Sequence, residues 1–380
     1  MLFRSRYLQG TAELNLGDYG TAADILSRLL RGGEALPPET LASARFFTAW
    51  ALYRGARYAE AFPVFAETAA DTGAGGYFSR ASYYGAWCAF SLGRFSDAAA
   101  LLEKAVVRAE TDGGPVLRRR SRFLLGQTYA ALGRTSDAAR EYRRLFTEYP
   151  NSEIAADAHF EFAGLLRLSG DVDGAAAAYK AIPGLYPGSP LGESALMRRG
   201  EILYAAGRWI DARSAFYDYR AAYPAGRHVD QALYWGALAA AKAGERHGAL
   251  LLLENLTGRF PGSPLRPDAL RETAEMYALL GDHPRAAEKY REIISRHPAE
   301  AASFGAEKRR EELRLLAGGA AEREAALLVN IRGAGGSATP EGRQAMLDLA
   351  GFYSGEGLPD SEKARPLLED LRRRDRKSVV

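Results

Sequence analysis

The 380-residue sequence has little cysteine and no long apolar run. It contains one cysteine, Cys88, and a lone cysteine makes no intrachain disulfide. Because Cys88 follows Trp87 in an apolar segment, we expect a buried and unreactive thiol. No run of about 18 apolar residues occurs, which is the length that a transmembrane helix needs. We therefore predict no membrane-spanning segment.

The chain also lacks an excess of charge of either sign. Fifty basic and 47 acidic side chains leave a net charge of +3. The basic cluster from Arg118 to Arg120 lies in a predicted helix that has acidic residues nearby, so we expect a solvated helix face there. Nucleic-acid binding would need a basic stripe along the molecule. We therefore expect no nucleic-acid partner.

Motifs that would indicate catalysis or metal binding are absent. The five histidines form no HExxH motif and no pair with ligand spacing; they are His159, His228, His247, His283 and His297. The sequence has neither GxxxxGK nor GxSxG, and no predicted strand precedes "GAGGS" at 333–337. Glu311 and Glu312 lie among arginines, which is typical of surface ion pairs on a helix. We expect no catalytic residues, no metal and no cofactor.

No stretch alternates apolar and polar residues convincingly with period two, so the sequence predicts an all-α fold. What the chain does contain is a repeat of 37 residues. Three residue types follow this period: the prolines Pro150, Pro187, Pro224, Pro261 and Pro298; the glycines Gly133, Gly170, Gly207, Gly244 and Gly281; and the alanines Ala138, Ala175, Ala212, Ala249 and Ala286.

Each of these residue types has a physical role in a pair of antiparallel helices. Glycine ends the first helix, because a left-handed residue is cheap only without a Cβ. The alanine, five residues later, lets the two helices approach closely, and a large residue four positions beyond it continues the apolar face. Proline ends the second helix. Stacking such pairs buries the apolar face of each one.

The pattern resembles the tetratricopeptide repeat (TPR). In "FLLGQTYAALGRTSDAAREYRRLFTEYP" a Leu-Gly pair, Tyr129, Ala138, Tyr142 and Pro150 follow the family order. A small residue recurs in the first helix, at Gly126, Ala163, Gly200, Ala237 and Ala274. The resemblance implies a right-handed α-solenoid of stacked antiparallel helix pairs. The period of 37 residues exceeds the usual value of about 34, and the extra residues lie in the connection between units.

The repeats predict three regions. Residues 7–110 hold three units of irregular spacing, residues 111–300 hold five regular units, and residues 301–375 hold degenerate helix pairs with a glycine-rich joint at 333–339. The loops "RGGEALPPE", "DTGAGG" and "TDGGP" absorb the irregular spacing. The ends "MLFRS" and "DRKSVV" resemble translated sequencing adapter, so we expect a gene fragment.

The resemblance also implies a binding groove, since the first helices of TPR pairs line the concave side. The corresponding residues are Phe123, Gln127, Phe160, Glu161, Arg167, Met197, Arg198, Glu201, Tyr204, Tyr234, Trp235, Arg271 and Glu275. Trp235, with Arg198 and Arg271 in the neighbouring repeats, is the predicted apolar anchor. The alternative is that half of these aromatic side chains belong to the core between repeats. Gln127 and Glu201 stand where the family's clamp for a terminal carboxylate has asparagine, which argues against recognition of chaperone tails.

The longer connection between units is similar to that of bacterial envelope TPR proteins, namely the outer-membrane assembly lipoprotein and the periplasmic partner of the Tol-Pal system. The resemblance implies a non-catalytic scaffold in the periplasm or cell envelope that binds a protein or peptide segment. Two alternatives stay open. The chain could be the solenoid arm of an enzyme such as a peptidoglycan hydrolase, or a cytoplasmic adaptor.

Overall fold

The computed structural model describes residues 2–32, 36–71, 75–108, 114–354 and 361–377. These residues form α-helices and two short 3-10 turns, without a strand, so the predicted all-α fold is confirmed. The helices are α1 Leu2–Leu16, α2 Tyr19–Arg31, α3 Pro38–Arg54, α4 Tyr58–Ala70, α5 Phe78–Ser91, α6 Phe95–Arg108, α7 Gly114–Ala131, α8 Thr135–Glu148, α9 Ala155–Leu168, α10 Val172–Leu185, α11 Leu191–Ala205, α12 Trp209–Ala222, α13 Val229–Lys242, α14 Arg246–Arg259, α15 Arg266–Leu279, α16 His283–Arg296, α17 Pro298–Ser303, α18 Ala306–Ala317, α19 Ala320–Gly333, α20 Pro340–Ser354 and α21 Ser361–Lys377.

The chain forms two compact units, which we call unit 1 (Met1–Gly207) and unit 2 (Arg208–Val380). Unit 1 contains α1 to α11, and unit 2 contains α12 to α21. Within each unit, most helices pack chiefly against the helix before and the helix after in the chain. The units divide at residue 207, whereas the predicted regions divide at 110 and 300, because those regions follow repeat spacing rather than compactness.

The 37-residue repeat is visible in the backbone angles. The residues before the five prolines end the second helices with φ between −135° and −122° and ψ between 58° and 68°; they are Tyr149, Tyr186, Tyr223, Phe260 and His297. The five ladder glycines have φ between 73° and 85°. The predicted left-handed end of each first helix is therefore confirmed.

Small residues of one helix pack against large residues of the next. The five ladder alanines have no exposed surface, and the large residue four positions after each of them is at most 3% exposed. In the pair α7 and α8, a Cβ added to Gly126 would lie 2.6 Å from Cε1 of Tyr142, so the tyrosine ring contacts the helix backbone directly. The close approach of α7 and α8 that the small residue predicted is therefore confirmed, and helices of successive pairs also pack against each other, as α12 does against α13.

The degenerate C-terminal region begins with a departure from the repeat. Pro298 follows His297, which ends α16 with φ −135° and ψ 62°, but it also begins the short helix α17, since proline is favourable in the first turn of a helix. The predicted joint contains the end of α19 at Gly333, left-handed Gly335 and Gly336, and a 3-10 turn, before α20 begins at Pro340.

Parts of the predicted irregular loops lie outside the described residues, namely 33–35, 72–74 and 109–113, together with the enlarged turn at 355–360 and residues 378–380. Among the helices that the structure describes, none combines the length and the apolar character needed to cross a membrane.

The turn between α3 and α4 has alanine, rather than glycine, at the left-handed position, which allows a test of what glycine contributes there. Ala56 has φ 59°, whereas Gly93, at the equivalent place in the next pair, has φ 73° and no atom within 4 Å of an added Cβ. Because a left-handed residue with a Cβ costs about 1–2 kcal/mol, we expect Ala56→Gly to raise the free energy of unfolding by about 1 kcal/mol. Gly93→Ala should lower it by a similar amount. Urea unfolding followed by circular dichroism measures both, and equal stability of the two variants would contradict this account.

Candidate partner-binding face

The structure places the thirteen predicted groove residues in different surroundings. Glu161, Arg167 and Arg198 are exposed, while Phe123, Gln127, Phe160, Glu201, Tyr204, Trp235, Arg271 and Glu275 are half-buried. Met197 and Tyr234 must be corrected, because they lie in the core with 4% and 9% of their surface exposed. Adjacent residues of a helix point about 100° apart, so Tyr234 faces inward where Trp235 faces outward.

In unit 1, five of the predicted residues lie around the buried ring of Tyr179. The ring of Phe160 stacks edge-on at 5.1 Å between centroids. Burial raises the pKa of Tyr179. The charges of Arg167 and Arg198 lower this pKa, and those of Glu161 and Glu201 raise it. Arg198 also donates to Glu201 at 2.9 Å. The structure therefore brings α9 and α11 residues together here.

In unit 2, the predicted groove residues Arg271 and Glu275 form ion pairs and hydrogen bonds with neighbouring side chains. Arg271 pairs with Glu272 at 2.6 Å and lies over the ring of Phe304. Glu275 accepts two hydrogen bonds from Arg309, at 2.9 and 2.8 Å, and a third from Tyr290 at 2.7 Å. These bonds, first those from Arg309, hold the pKa of the Glu275 carboxyl below its usual range. Both residues thus have structural partners.

The largest group of half-buried aromatic residues lies elsewhere, on α3 and α5 of unit 1. We call it the aromatic patch, and its residues are Phe47, Trp50, Tyr53, Tyr83, Tyr84 and Trp87. The ring of Tyr84 lies 4.6 Å from Trp50, 5.3 Å from Tyr53 and 5.0 Å from Tyr83, between centroids. Tyr53 lies 5.3 Å from Trp87. Five rings of both helices thus form one connected surface, and Phe47 joins it through Phe46, which contacts both Phe47 and Trp50.

Helix periodicity explains why the patch forms. Positions 47, 50 and 54 share one side of α3, and positions 80, 83, 84 and 87 share one side of α5, since residues three and four apart face the same way. The opposite sides carry buried core residues, for example Leu52 and Ala89. The core packing of α3 and α5 thus fixes the position of the patch rings, while part of each ring stays exposed to solvent.

Three exposed arginines border the patch. The guanidinium of Arg54 lies 5.7 Å from the centre of the Trp50 ring. Arg80 lies on the same side of α5 as the patch rings. Burial raises the pKa of Tyr83, and the charge of Arg120 on α7 acts in the opposite direction, which places Arg120 near this ring. Among the described residues, no carboxylate lies within ion-pair distance of Arg54, Arg80 or Arg120. Arg54 donates to the hydroxyl of Tyr19, and Arg120 adds to the backbone hydrogen bond and to Arg119 in lowering the pKa of the Glu153 carboxyl. None of the three arginines is neutralised by a direct ion pair among the described residues, so each can still pair with an outside anion.

The cluster from Arg118 to Arg120 is less solvated than predicted. Arg120 is exposed, but Arg118 and Arg119 are half-buried. Arg118 donates to the hydroxyl of Tyr149 at 3.3 Å, and Arg119 pairs with Glu153 at 3.1 Å. Only the last arginine of the cluster therefore contributes a charge to the patch border.

Charge is divided unevenly between the two kinds of helix in this part of unit 1. The first helices of the first four pairs, α1, α3, α5 and α7, contain nine arginines and two glutamates. The second helices, α2, α4, α6 and α8, contain seven basic and eight acidic residues. Arg45, Arg119 and Arg122 of the first helices are paired with carboxylates. The remaining arginines give the first helices a surplus of positive charge that attracts an anionic molecule.

The groove prediction began at Phe123 and missed the patch, because it followed only the regular repeats. A compositional signal was present, since residues 46–90 hold 13 of the 40 aromatic residues of the chain. Such a density exceeds what two repeat cores need.

The chain resembles known proteins in its repeats and fold. The family model described as "Tetratricopeptide repeat" matches residues 7–76, 123–190 and 236–301, together more than half of the chain. The C-terminal part of a TPR protein from Cytophaga hutchinsonii superposes with a TM-score of 0.50 and 18% identity, over 69% of this chain and 98% of that one. BtubC from P. vanneervenii superposes with a TM-score of 0.40 and 17% identity, over 55% and 91%. No curated protein matches the sequence.

Cys88, next to Trp87 of the patch, gives a test of how firmly α5 is held. Its thiol has no exposed surface, and burial raises its pKa to about 12. Because the thiolate is the reactive form, we expect a disulfide reagent at pH 8 to modify Cys88 in the folded protein only when unit 1 opens. The rate should rise with urea in parallel with unfolding. Rapid modification without denaturant would contradict this prediction.

Proposed function

Because the chain belongs to the tetratricopeptide-repeat family, whose repeats typically serve as non-catalytic scaffolds for protein interaction, we propose that it binds an acidic segment of a partner protein on the first-helix face of unit 1. The aromatic patch provides the apolar contacts, and Arg54, Arg80 and Arg120 bind the acidic side chains. The observation that carries the proposal is the connected, half-buried set of rings bordered by arginines without ion-pair partners.

Aromatic and arginine side chains supply most of the binding energy in protein interfaces, since they bury much surface at a modest cost in entropy. Tryptophan and tyrosine rings also keep a polar edge that can donate hydrogen bonds. A segment with large apolar residues would cover the rings of Trp50 and Trp87, while its carboxylates pair with the arginines. Such pairing steers association and is weakened by salt.

We extend the proposal to the residues around Tyr179 and to Trp235, which remain candidates for further contacts. Phe160, Arg167 and Arg198 would continue the unit 1 face towards its last helix. Trp235 would provide an anchor on unit 2, although Arg271 already has partners within the fold.

We also propose that the protein acts in the bacterial cell envelope. The repeats have a period of 37 residues, and the connection between them resembles the connections in envelope TPR proteins. This resemblance supports the location. Fractionation of cells that express the full-length gene tests it, and recovery of the protein in the cytoplasm would favour the adaptor alternative.

Photo-crosslinking tests the proposed face. Tyr84 is replaced by p-benzoylphenylalanine, and Phe90, half-buried on the same helix but in ring contact with Phe95 at 5.3 Å, is replaced in a matched variant. We expect the Tyr84 variant to crosslink partner peptides that carry net negative charge and large apolar side chains. The Phe90 variant should crosslink them much less.

Charge reversal supplies the second half of this test. Replacing Arg54, Arg80 and Arg120 by glutamate should weaken binding about tenfold or more, or at least ~1.4 kcal/mol, and at partner concentrations well below saturation the crosslink yield should fall by the same factor. The control replaces three exposed arginines of second helices, Arg28, Arg31 and Arg143. Equal losses in both triple variants, or crosslinked segments with net positive charge, would refute the proposal.

A further inference from the structure

Unit 2 has a groove on its second helices, between α12 and α14. Its volume is about 380 Å³. The floor comes from α13, where Ala232, Gly236 and Ala240 lie one helical turn apart. The walls come from α12 and α14, so the groove does not involve the aromatic patch, which belongs to unit 1.

The groove opens where this repeat has small residues at two positions that the other regular repeats occupy with larger ones. One repeat later, Gly236 and Ala240 are replaced by Thr273 and Tyr277. The pairs at the same positions in the earlier regular repeats are Leu125 and Tyr129, Phe162 and Leu166, and Arg199 and Leu203. Helix α5 has the same small pair, Gly85 and Ala89, but there a Cβ on Gly85 would lie 2.9 Å from Phe65 and 3.3 Å from Leu101, so neighbouring side chains already fill the space. A Cβ added to Gly236 would approach Phe216 at 3.4 Å and Leu252 at 3.8 Å, which is ordinary packing distance. A larger side chain could therefore occupy the groove.

The walls of the groove are apolar and open to solvent. Tyr217 on α12 is 66% exposed and Leu251 on α14 is 68% exposed. Half-buried Leu252 continues the wall below Leu251. Covering such side chains gains about 25 cal/mol for each Å² of apolar surface. The groove is thus suited to one large apolar side chain.

The two ends of the groove differ in charge. At the beginning of both helices, Arg213 pairs with Glu245, so this end is neutral. Near the other end lies Arg220, whose pKa is lowered by burial and by the charge of Arg259. Arg220 and Arg259 have no carboxylate within ion-pair distance among the residues that the structure describes. This end therefore has a partly desolvated positive charge without a counter-ion.

We propose that this groove binds a helical segment of a partner protein that carries a large apolar residue and, one helical turn away, a carboxylate. The apolar side chain lies between Tyr217 and Leu251 above Gly236, and the carboxylate pairs with Arg220. Tyr217 and Arg220 are three residues apart, a distance of about 4.5 Å along α12. Residues separated by one turn of a partner helix have a matching spacing.

A simpler interpretation is that Arg220 and Arg259 interact only with water and with the carbonyl ends of their own helices, where cations are favourable. This interpretation predicts no preference for an acidic ligand. It also leaves the small residues at 236 and 240 without an effect on binding. The two accounts can therefore be separated by experiment.

The probes are three peptides of alanine and glutamine, each about 20 residues long, since shorter isolated helices are only marginally stable in water. The first has phenylalanine and glutamate four positions apart. The second has glutamine in place of the glutamate, and the third has the glutamate two positions from the phenylalanine, on another side of the helix. Binding is followed by NMR through the backbone amides of Gly236 and Gly248, both in the groove.

We expect the first peptide to bind about tenfold more tightly than the other two, a difference of ~1.4 kcal/mol. In Arg220→Gln the first two peptides should bind equally. Gly236→Leu should abolish the amide shifts while helical circular dichroism is unchanged. If that variant does not fold, Leu251→Ala should weaken binding, whereas the control Leu279→Ala, at a leucine that is 56% exposed outside the groove, should not.

Equal affinity for all three peptides, or shifts away from Gly236 and Gly248, would overturn the proposal. An absence of any shift up to the solubility limit of the peptides would also overturn it. Self-association of the unliganded protein that disappears in Gly236→Leu would show that a second copy of this chain occupies the groove instead.

Discussion

The close packing of a small residue of the first helix near a large residue of the second is the constraint on which the regular helix pairs depend. Gly126 allows the ring of Tyr142 to reach the backbone of α7, and Ala274 with Tyr290 is an equivalent pair in unit 2, both buried. A larger residue in the first helix would push the helices apart, because protein interiors are packed to high density. The helix spacing then determines which side chains of each helix remain at the surface.

This constraint explains which features could be predicted from the sequence. Glycine at a left-handed turn, alanine at a close approach and proline after a helix each act within one helix pair, so their spacing alone was sufficient. The direction of a particular side chain depends on the neighbouring pair as well. Tyr234 and Trp235 fit the same pattern equally, and only the packing of α13 makes the first buried and the second half-buried. The aromatic patch was missed for a related reason, since its residues lie in repeats of irregular spacing.

Packing between sequence neighbours also lets a single repeat change without altering the others. In a repeat protein the stability is approximately a sum over repeats and their interfaces. Glycine at position 236 therefore affects mainly α12, α13 and α14, while threonine at 273 leaves α15 fully packed, with Thr273 buried and bonded to the carbonyl of Ala269 at 2.6 Å. The dense rings of α3 and α5 are another feature of individual repeats. Surface features of this kind distinguish one TPR protein from another.

The net charge of +3 conceals how arginine is used along the chain. Many arginines begin a second helix and pair with an acid three residues later, as Arg94 does with Asp97 and Arg134 with Asp137, both at 2.7 Å. These pairs recur with the repeat and are neutral, so they add little to the field that a partner meets. Arg54, Arg80 and Arg120 beside the aromatic rings, and Arg220 beside the groove, fall outside this pattern. A nearly neutral chain therefore presents positive charge next to apolar surface, which is the combination that an acidic amphipathic segment requires.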